Sequence, residues 1–227
     1  MQQPCRLPPG PWQHFQPESL DGVYTDGDPA FWPDTSGNGR DIDGVIVGGA
    51  KPPAPYRPNL LNGYGGITLQ GADFNDYDAG TYYTDRDTLA SQVVGDAISI
   101  VMVCNVTTDF TSLWAAGGVS ADTGWELNIE AGGVMWSAIR SGSSSLFSSG
   151  HSGWKVISAS INETTQRLWV NGVEVETGAG RAGPWDHLWT LYYGGSGVTE
   201  WVIYPFDLTV EQHEDVWCAL SKKYGLS

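Results

Sequence analysis

Short runs of alternating apolar and polar residues, separated by glycine turns, follow one another along the chain beyond residue 95. The run 98–105 is apolar on nearly both faces, which predicts a central, buried strand. In the run 125–130 every second residue is apolar, which predicts a half-buried strand. Asn171-Gly172, between two valines, predicts a two-residue hairpin turn because both turn residues need positive φ. This succession favours an antiparallel β-sandwich.

One helix is predicted at the C-terminus. Thr209 and Gln212 form a capping box at its start, and Gly225 ends it. Lys222 and Lys223 oppose the negative end of its dipole. Its apolar stripe consists of Val216, Trp217, Leu220 and Tyr224. The predicted fold class is therefore all-β, an antiparallel two-sheet jelly-roll sandwich with one short C-terminal helix.

Composition narrows the function classes. Glycine (30) and proline (13) are abundant among the 227 residues, and there are 11 tryptophans. So much glycine excludes a helical bundle, and a disordered chain would lack the aromatics. The 11 Lys and Arg against 26 Asp and Glu give a formal net charge of −15. Nucleic acid is excluded as a partner because phosphate backbones repel an acidic surface.

The chain is predicted to form an arm and one domain. Residues 1–20 are rich in Pro and Gln, which predicts an extended arm that ties the domain to its partner. Residues 21–227 are predicted to be a single sandwich, with loops dominating until about residue 90. No apolar segment resembles a secretion signal, and the longest apolar stretch, 98–104, is too short to span a bilayer.

The three cysteines are Cys5, Cys104 and Cys218. Their odd number and wide spacing predict neither a disulfide framework nor a zinc site. Cys104 and Cys218 lie in apolar patterns, where a small buried hydrophobe is expected. Together with the absent signal, this predicts synthesis in a reducing cytoplasm.

The order of motifs resembles the laminin-G-like branch of the concanavalin A-like lectin and glucanase superfamily. The matching motifs span residues 20–227 in the family's order: WPDTSGNG at 32–39, DAISIVMV at 96–103, WKVISASI at 154–161, LWVNGV at 168–173, EWVIY at 200–204 and KKYGL at 222–226. The resemblance implies a laminin-G-like sandwich. Free-standing versions resemble bacteriophage virion proteins, notably minor tail or capsid-decoration proteins.

The resemblance implies a non-enzymatic virion accessory protein, made in the host cytoplasm, that binds other virion proteins or a host-surface glycan. A carbohydrate-binding lectin module is the alternative, and a glycoside hydrolase of the same fold is a more remote one. Homo-oligomerisation stays open.

Glu126, Asn128 and Glu130 lie two residues apart in a predicted strand, and some glucanases of this superfamily carry three carboxylates at that spacing. Here the central residue is an amide, which neither carries a charge nor tunes its neighbours. We therefore expect an ordinary solvent face opposite Leu127 and Ile129, and no catalytic residue.

Asp34 and Asn38 belong to a loop that places oxygen-bearing side chains at the first, third and fifth positions and Gly39 at the sixth, as in a calcium loop. Related sandwiches often hold one calcium near such a loop, so Asp34, Asn38 and Asp41 are candidate ligands. The alternative, somewhat favoured, is a hydrogen-bonded Asx turn that needs no metal.

Trp169 is the candidate ligand-binding residue. Leu168 and Val170 take the opposite parity and the core, so Trp169 is expected to be exposed. An exposed indole could stack on a sugar ring or dock a neighbouring subunit, and the sequence favours neither.

Overall fold

The structure is a computed structural model that describes residues 5–27, 32–39, 41, 55–68, 81–83, 97–108, 111–117, 124–130, 132–138, 145–180, 187–192 and 196–227. Its strands, in chain order, are Gln13–Phe15 (β1), Tyr56–Leu61 (β2), Tyr64–Thr68 (β3), Thr81–Tyr83 (β4), Ile98–Val106 (β5), Thr111–Gly117 (β6), Gly124–Glu130 (β7), Gly133–Ala138 (β8), Leu146–Ser149 (β9), Gly153–Ile161 (β10), Thr165–Val170 (β11), Val173–Ala179 (β12), His187–Tyr192 (β13) and Gly197–Tyr204 (β14). A short 3-10 helix covers Pro17–Ser19, and one α-helix, α1, covers Val210–Tyr224.

The strands form two antiparallel sheets. The eight-stranded sheet has the order β12-β11-β10-β5-β14-β3-β2, with β1 also paired to β14. The six-stranded sheet has the order β4-β13-β6-β7-β8-β9. Side chains of both sheets fill one apolar core between them. The predicted two-sheet sandwich with a C-terminal helix is confirmed.

β5 is central and buried on both faces, as its apolar run predicts. Ile98, Ile100 and Met102 belong to the core between the sheets. Val101 and Val103 point the other way and pack under α1. A strand with helix and sheet on its two sides has no solvent face, which explains why its apolar pattern is nearly continuous.

The helix has the predicted boundaries. The Thr209 hydroxyl accepts a hydrogen bond from the Gln212 amide, and the Gln212 side chain accepts one from the Thr209 amide. Gly225 ends the helix at φ 63°. Val216, Leu220 and Tyr224 are buried against the eight-stranded sheet. No helix in the described part of the chain has the length and apolar character that crossing a bilayer requires.

Two hairpin turns carry positive φ. Asn171 and Gly172 have φ values of 50° and 75° and join β11 to β12, which confirms the predicted turn. Asn62 and Gly63, at 48° and 93°, join β2 to β3. The sequence predicted that loops dominate until about residue 90 and named no strand there, so β2 and β3 are additions to the prediction.

The arm predicted for residues 1–20 is wrong for the described residues 5–20, which are part of the sandwich. β1 pairs with β14, with His14 opposite Val202. Phe15 and Leu20 are fully buried in the core between the sheets. Pro and Gln content indicated an extended backbone, but an extended segment can also pair as a strand, and its buried apolar side chains decide that outcome.

The cysteine prediction is also wrong in part. Cys5 and Cys218 form a disulfide across 213 residues, with their Cα atoms 5.3 Å apart. Cys104 is buried, as expected, and burial raises the pKa of its thiol. Scattered spacing does not reveal this bridge, because the fold itself brings the two ends of the chain together.

Candidate functional site

Trp169 lies on the face of β11 opposite the core, as its parity predicts, but it is not exposed. Its relative exposure is 4%, whereas Leu168 and Val170 belong to the core between the sheets. The imidazole of His213, on α1, stacks on the indole with ring centroids 4.9 Å apart and an interplanar angle of 11°. The expectation of an exposed platform is therefore wrong.

His213 is held in that position from the sheet side. Its Nδ1 lies 2.7 Å from the Ser158 hydroxyl. Burial, with a smaller contribution from the charge of Arg167, lowers the pKa of His213 to about 3. The ring is thus neutral at physiological pH, and its flat face covers the indole of Trp169. Ligand binding by Trp169 stays a prediction, and it would require the helix to give way.

The Asp34 loop is closed by its own hydrogen bonds. Asp34 Oδ1 accepts from the amides of His14 and Ser36, at 3.0 and 2.9 Å, and Oδ2 accepts from the Ser36 hydroxyl at 2.7 Å. The Asp41 carboxylate accepts from the Asp34 amide at 2.8 Å. Asn38 donates from its Nδ2 to the carbonyls of two residues of the N-terminal segment, Pro11 and Trp12.

These contacts give the loop a structural task, because it fastens the N-terminal segment beside β1. Oxygen atoms that already accept protein hydrogen bonds are less available to a cation. Among the described residues, no three acidic, histidine or cysteine side chains form a cluster of the size that a metal needs. Calcium at Asp34, Asn38 and Asp41 stays a prediction.

Glu126, Asn128 and Glu130 lie on β7, and the burial of Asn128 differs from the prediction. Leu127 and Ile129 are in the core, as predicted. Asn128, expected on a solvent face, has a relative exposure of 1%. The backbone of Glu126 and Glu130 lies on β7, but their side chains fall outside the described residues. That neither is catalytic stays a prediction.

The sequence reasoning missed a buried charged cluster around Glu200. One carboxylate oxygen lies 2.7 Å from His14 Nε2, and the other accepts from Lys223 Nζ at 2.7 Å and from the Tyr224 hydroxyl. Lys223 also pairs with Glu18 at 2.9 Å. Glu200 itself is 1% exposed. β1, β14 and the end of α1 therefore meet at one carboxylate.

The electrostatics of this cluster are mutually supporting. Burial alone would raise the pKa of Glu200, but the hydrogen bond from His14 and the charge and hydrogen bonds of Lys223 and Tyr224 outweigh it and lower that pKa. For Lys223, burial would lower the pKa, and Glu200 and Glu18 outweigh it in the other direction. Each partner thus stabilises the charged form of the other.

A buried carboxylate with three side-chain partners joins the chain segments that carry those partners. It is poorly placed to exchange a proton with a substrate. A sequence signal was present. Glu200 shares its parity with Val202 and Tyr204, which face the helix, so a charge at that position needed a buried partner.

The described surface offers scattered apolar side chains and many carboxylates. The large hydrophobic residues with substantial exposure are Val23 (68%), Val173 (61%), Phe147 (43%) and Val210 (40%). They lie on a loop, on the edge strands β12 and β9, and at the first residue of α1.

Comparison with known proteins identifies the fold. No protein-family model matches the chain, and no curated protein matches it. The solved receptor-binding domain of botulinum neurotoxin type G aligns with a TM-score of 0.61 at 13% identity, covering 92% of this chain and 51% of that one. The binding domain of botulinum neurotoxin DC aligns with a TM-score of 0.63 in its complexes with SialylT and with rat synaptotagmin II, at 12% and 11% identity.

The chain spans about half the length of these solved chains, since each alignment with the DC domain also covers 92% of this chain and 51% of that one. Identities this low show a shared fold and nothing finer. The two-sheet antiparallel β-sandwich is therefore the fold that this chain shares with them. The resemblance to laminin-G-like bacteriophage proteins remains a prediction.

Proposed function

We propose that the chain is a non-enzymatic recognition domain that binds a protein surface, as an accessory component of a bacteriophage virion. One observation carries the recognition role: 92% of the chain follows the fold of domains solved as a receptor-binding domain and as a binding domain in complex with a protein. The virion context rests on the resemblance of the sequence motifs.

A protein partner is favoured over a glycan by the position of Trp169. The one aromatic side chain that the sequence offered as a sugar platform is covered by His213. The exposed hydrophobic side chains of the described surface belong to a loop, two edge strands and the first residue of α1. Glycan recognition is the second candidate, because one of the aligned domains was solved with SialylT.

The absence of enzymatic activity is supported by the setting of Glu200, whose carboxylate is engaged by three protein side chains. Asn128 supports it as well, because an amide stands where related glucanases carry the central carboxylate. Hydrolysis of β-glucans that is lost in Glu126→Gln would overturn this part of the proposal.

The partner class is tested with the purified full chain. It is offered to a glycan array and, in parallel, to proteins of virions purified from the phage whose genome carries its gene, with chemical cross-linking and mass spectrometry. We expect cross-links to virion proteins and no specific glycan signal. Specific glycan binding without virion cross-links would replace the proposal with a lectin. Neighbouring genes that encode no portal, capsid or tail-tube protein would remove the virion context.

A further inference from the structure

The disulfide between Cys5 and Cys218 has a lysine beside it. Lys222 lies four residues after Cys218 on α1, so the two side chains share one helix face. Its ammonium Nζ donates to Cys5 Sγ at 3.0 Å. The neighbouring ammonium of Lys223 is engaged instead with Glu18 and Glu200. Lys222 is thus the cation that faces the disulfide.

This lysine makes the two sulfurs unequal. A cation in contact with a sulfur stabilises its thiolate, so Cys5 is the better leaving group when the bond opens. Cys218 lies inside α1, six residues before its last residue, Tyr224. Glu214 and Asp215 precede it by one turn and add negative charge near Cys218.

Neither cysteine of the disulfide is enclosed in the core. Both cysteines are half-buried, and Arg6 and Lys222 beside them are exposed. Two basic residues at this position contrast with a chain whose formal net charge is −15. These two basic residues offset part of the negative charge that an incoming thiolate meets near Cys218.

We propose that Cys5–Cys218 is a thiol-exchange site, at which an incoming thiolate attacks Cys218 and Cys5 departs as a thiolate paired with Lys222. The new bond joins Cys218 Sγ to the sulfur of the attacking thiol, and the bond between Cys218 and Cys5 breaks. The electron pair of the broken bond stays on Cys5 Sγ. The proton of the incoming thiol is lost to solvent before attack, and no other oxidant or reductant is needed.

The product is a mixed disulfide on α1, with the N-terminal segment no longer covalently tied to the helix. Small thiols and protein thiols share this chemistry. The site would thereby give the domain a covalent attachment point for a partner's thiol, on the face where the two ends of the chain meet.

The test incubates the native, oxidised full-length protein with millimolar glutathione, quenches with acid and maps the adduct by peptide mass spectrometry. We expect glutathione on Cys218 and a free thiol at Cys5. Lys222→Gln should slow exchange by about three- to tenfold, because the departing Cys5 thiolate then has no cation in contact with it. Lys222→Arg should retain the wild-type rate. Reduced thioredoxin in a second arm distinguishes a protein dithiol from a small thiol.

Lys155→Gln is the matched control, since it removes a half-buried lysine of β10 and should leave the rate unchanged. Circular dichroism checks that each variant is folded. Three outcomes would overturn the proposal: adduct formation at Cys5, equal rates for wild type and Lys222→Gln, or exchange that begins only in denaturant. Three free thiols in protein purified under oxidising conditions would overturn it as well.

Discussion

The two faces of the central strands β5 and β14 of the eight-stranded sheet are both buried, but by different chemistry. The inner face packs against the smaller sheet through apolar side chains such as Ile100, Ile157 and Ile203. The outer face, under α1, mixes apolar residues with polar and charged ones, including the Ser158–His213 contact and the Glu200 cluster. The inner layer is stabilised mainly by burial of apolar surface. The outer layer is stabilised by apolar burial and, in addition, by specific hydrogen bonds and ion pairs.

The difference follows from which parts of the chain build each layer. The inner layer comes mainly from strands whose period-two pattern is local. The outer layer joins the N-terminal segment, β14 and the C-terminal helix, which are far apart in sequence. His14 lies 186 residues from Glu200, and the disulfide spans 213. Contacts at such separations form only when the rest of the fold is in place.

Removing residues 1–20 should break both layers at once and have the largest effect. The truncation takes β1 from the edge of β14, Phe15 and Leu20 from the inner core, and His14 from Glu200. We expect the loss of cooperative thermal unfolding, measured by circular dichroism and calorimetry. Removal of residues 1–4 alone keeps every one of these contacts and should melt like wild type. A folded, cooperative protein without residues 1–20 would restore the arm that the sequence suggested.

Glu200→Gln should weaken the outer layer alone. It leaves His14 and Lys223 without their buried anion, although Lys223 keeps its contact with Glu18. Loss of one partner of a buried ion pair lowers the free energy of unfolding by about 3 kcal/mol. Urea denaturation at neutral pH measures the change in the free energy of unfolding. Glu174→Gln is the matched control: its pair with Arg167 is partly exposed and 3.8 Å long, so a loss below about 1 kcal/mol is expected.

The same variant should change the acid limb of the stability profile. The pKa of Glu200 is lowered in the folded state, so its stabilisation is complete above the usual Glu pKa of about 4.3 and is lost as pH falls through the folded-state value. The difference in unfolding free energy between wild type and Glu200→Gln should therefore be constant near neutral pH and shrink in acid. A difference that stays constant down to pH 2 would mean that the Glu200 carboxyl group is not ionised in the folded protein.

The strands and the helix could be predicted from the sequence to a large extent, and the contacts that join them in the outer layer could not. The nearly continuous apolar run of β5, the Asn171-Gly172 turn and the capping box of α1 are all local signals, and each was confirmed. Trp169 shows the limit. Its parity correctly placed it away from the core, but parity does not say whether a helix covers that face, and α1 does.

The charged cluster and the disulfide lay beyond that limit for the same reason. The sequence around Glu200 and around the three cysteines does not show which residues they contact. Those contacts form only because the fold brings the N-terminal segment next to the C-terminal helix. The composition of the N-terminal segment predicts an extended arm. Phe15 is nevertheless buried, because it packs against Trp201, which lies almost two hundred residues further along the chain. Composition describes the backbone tendency of a segment, and long-range packing decides its role.

The smallest effect is expected at the Asp34 loop, where calcium and an internal hydrogen-bond network compete as explanations. Since both Asp34 oxygens accept hydrogen bonds within the protein, the melting temperature should be unchanged by a chelator and by millimolar calcium. Asp34→Ala removes those acceptors and should lower the melting temperature equally with and without calcium. A rise with calcium in wild type that disappears in Asp34→Ala would instead establish a metal site, and would make the fastening of the N-terminal segment dependent on the ion.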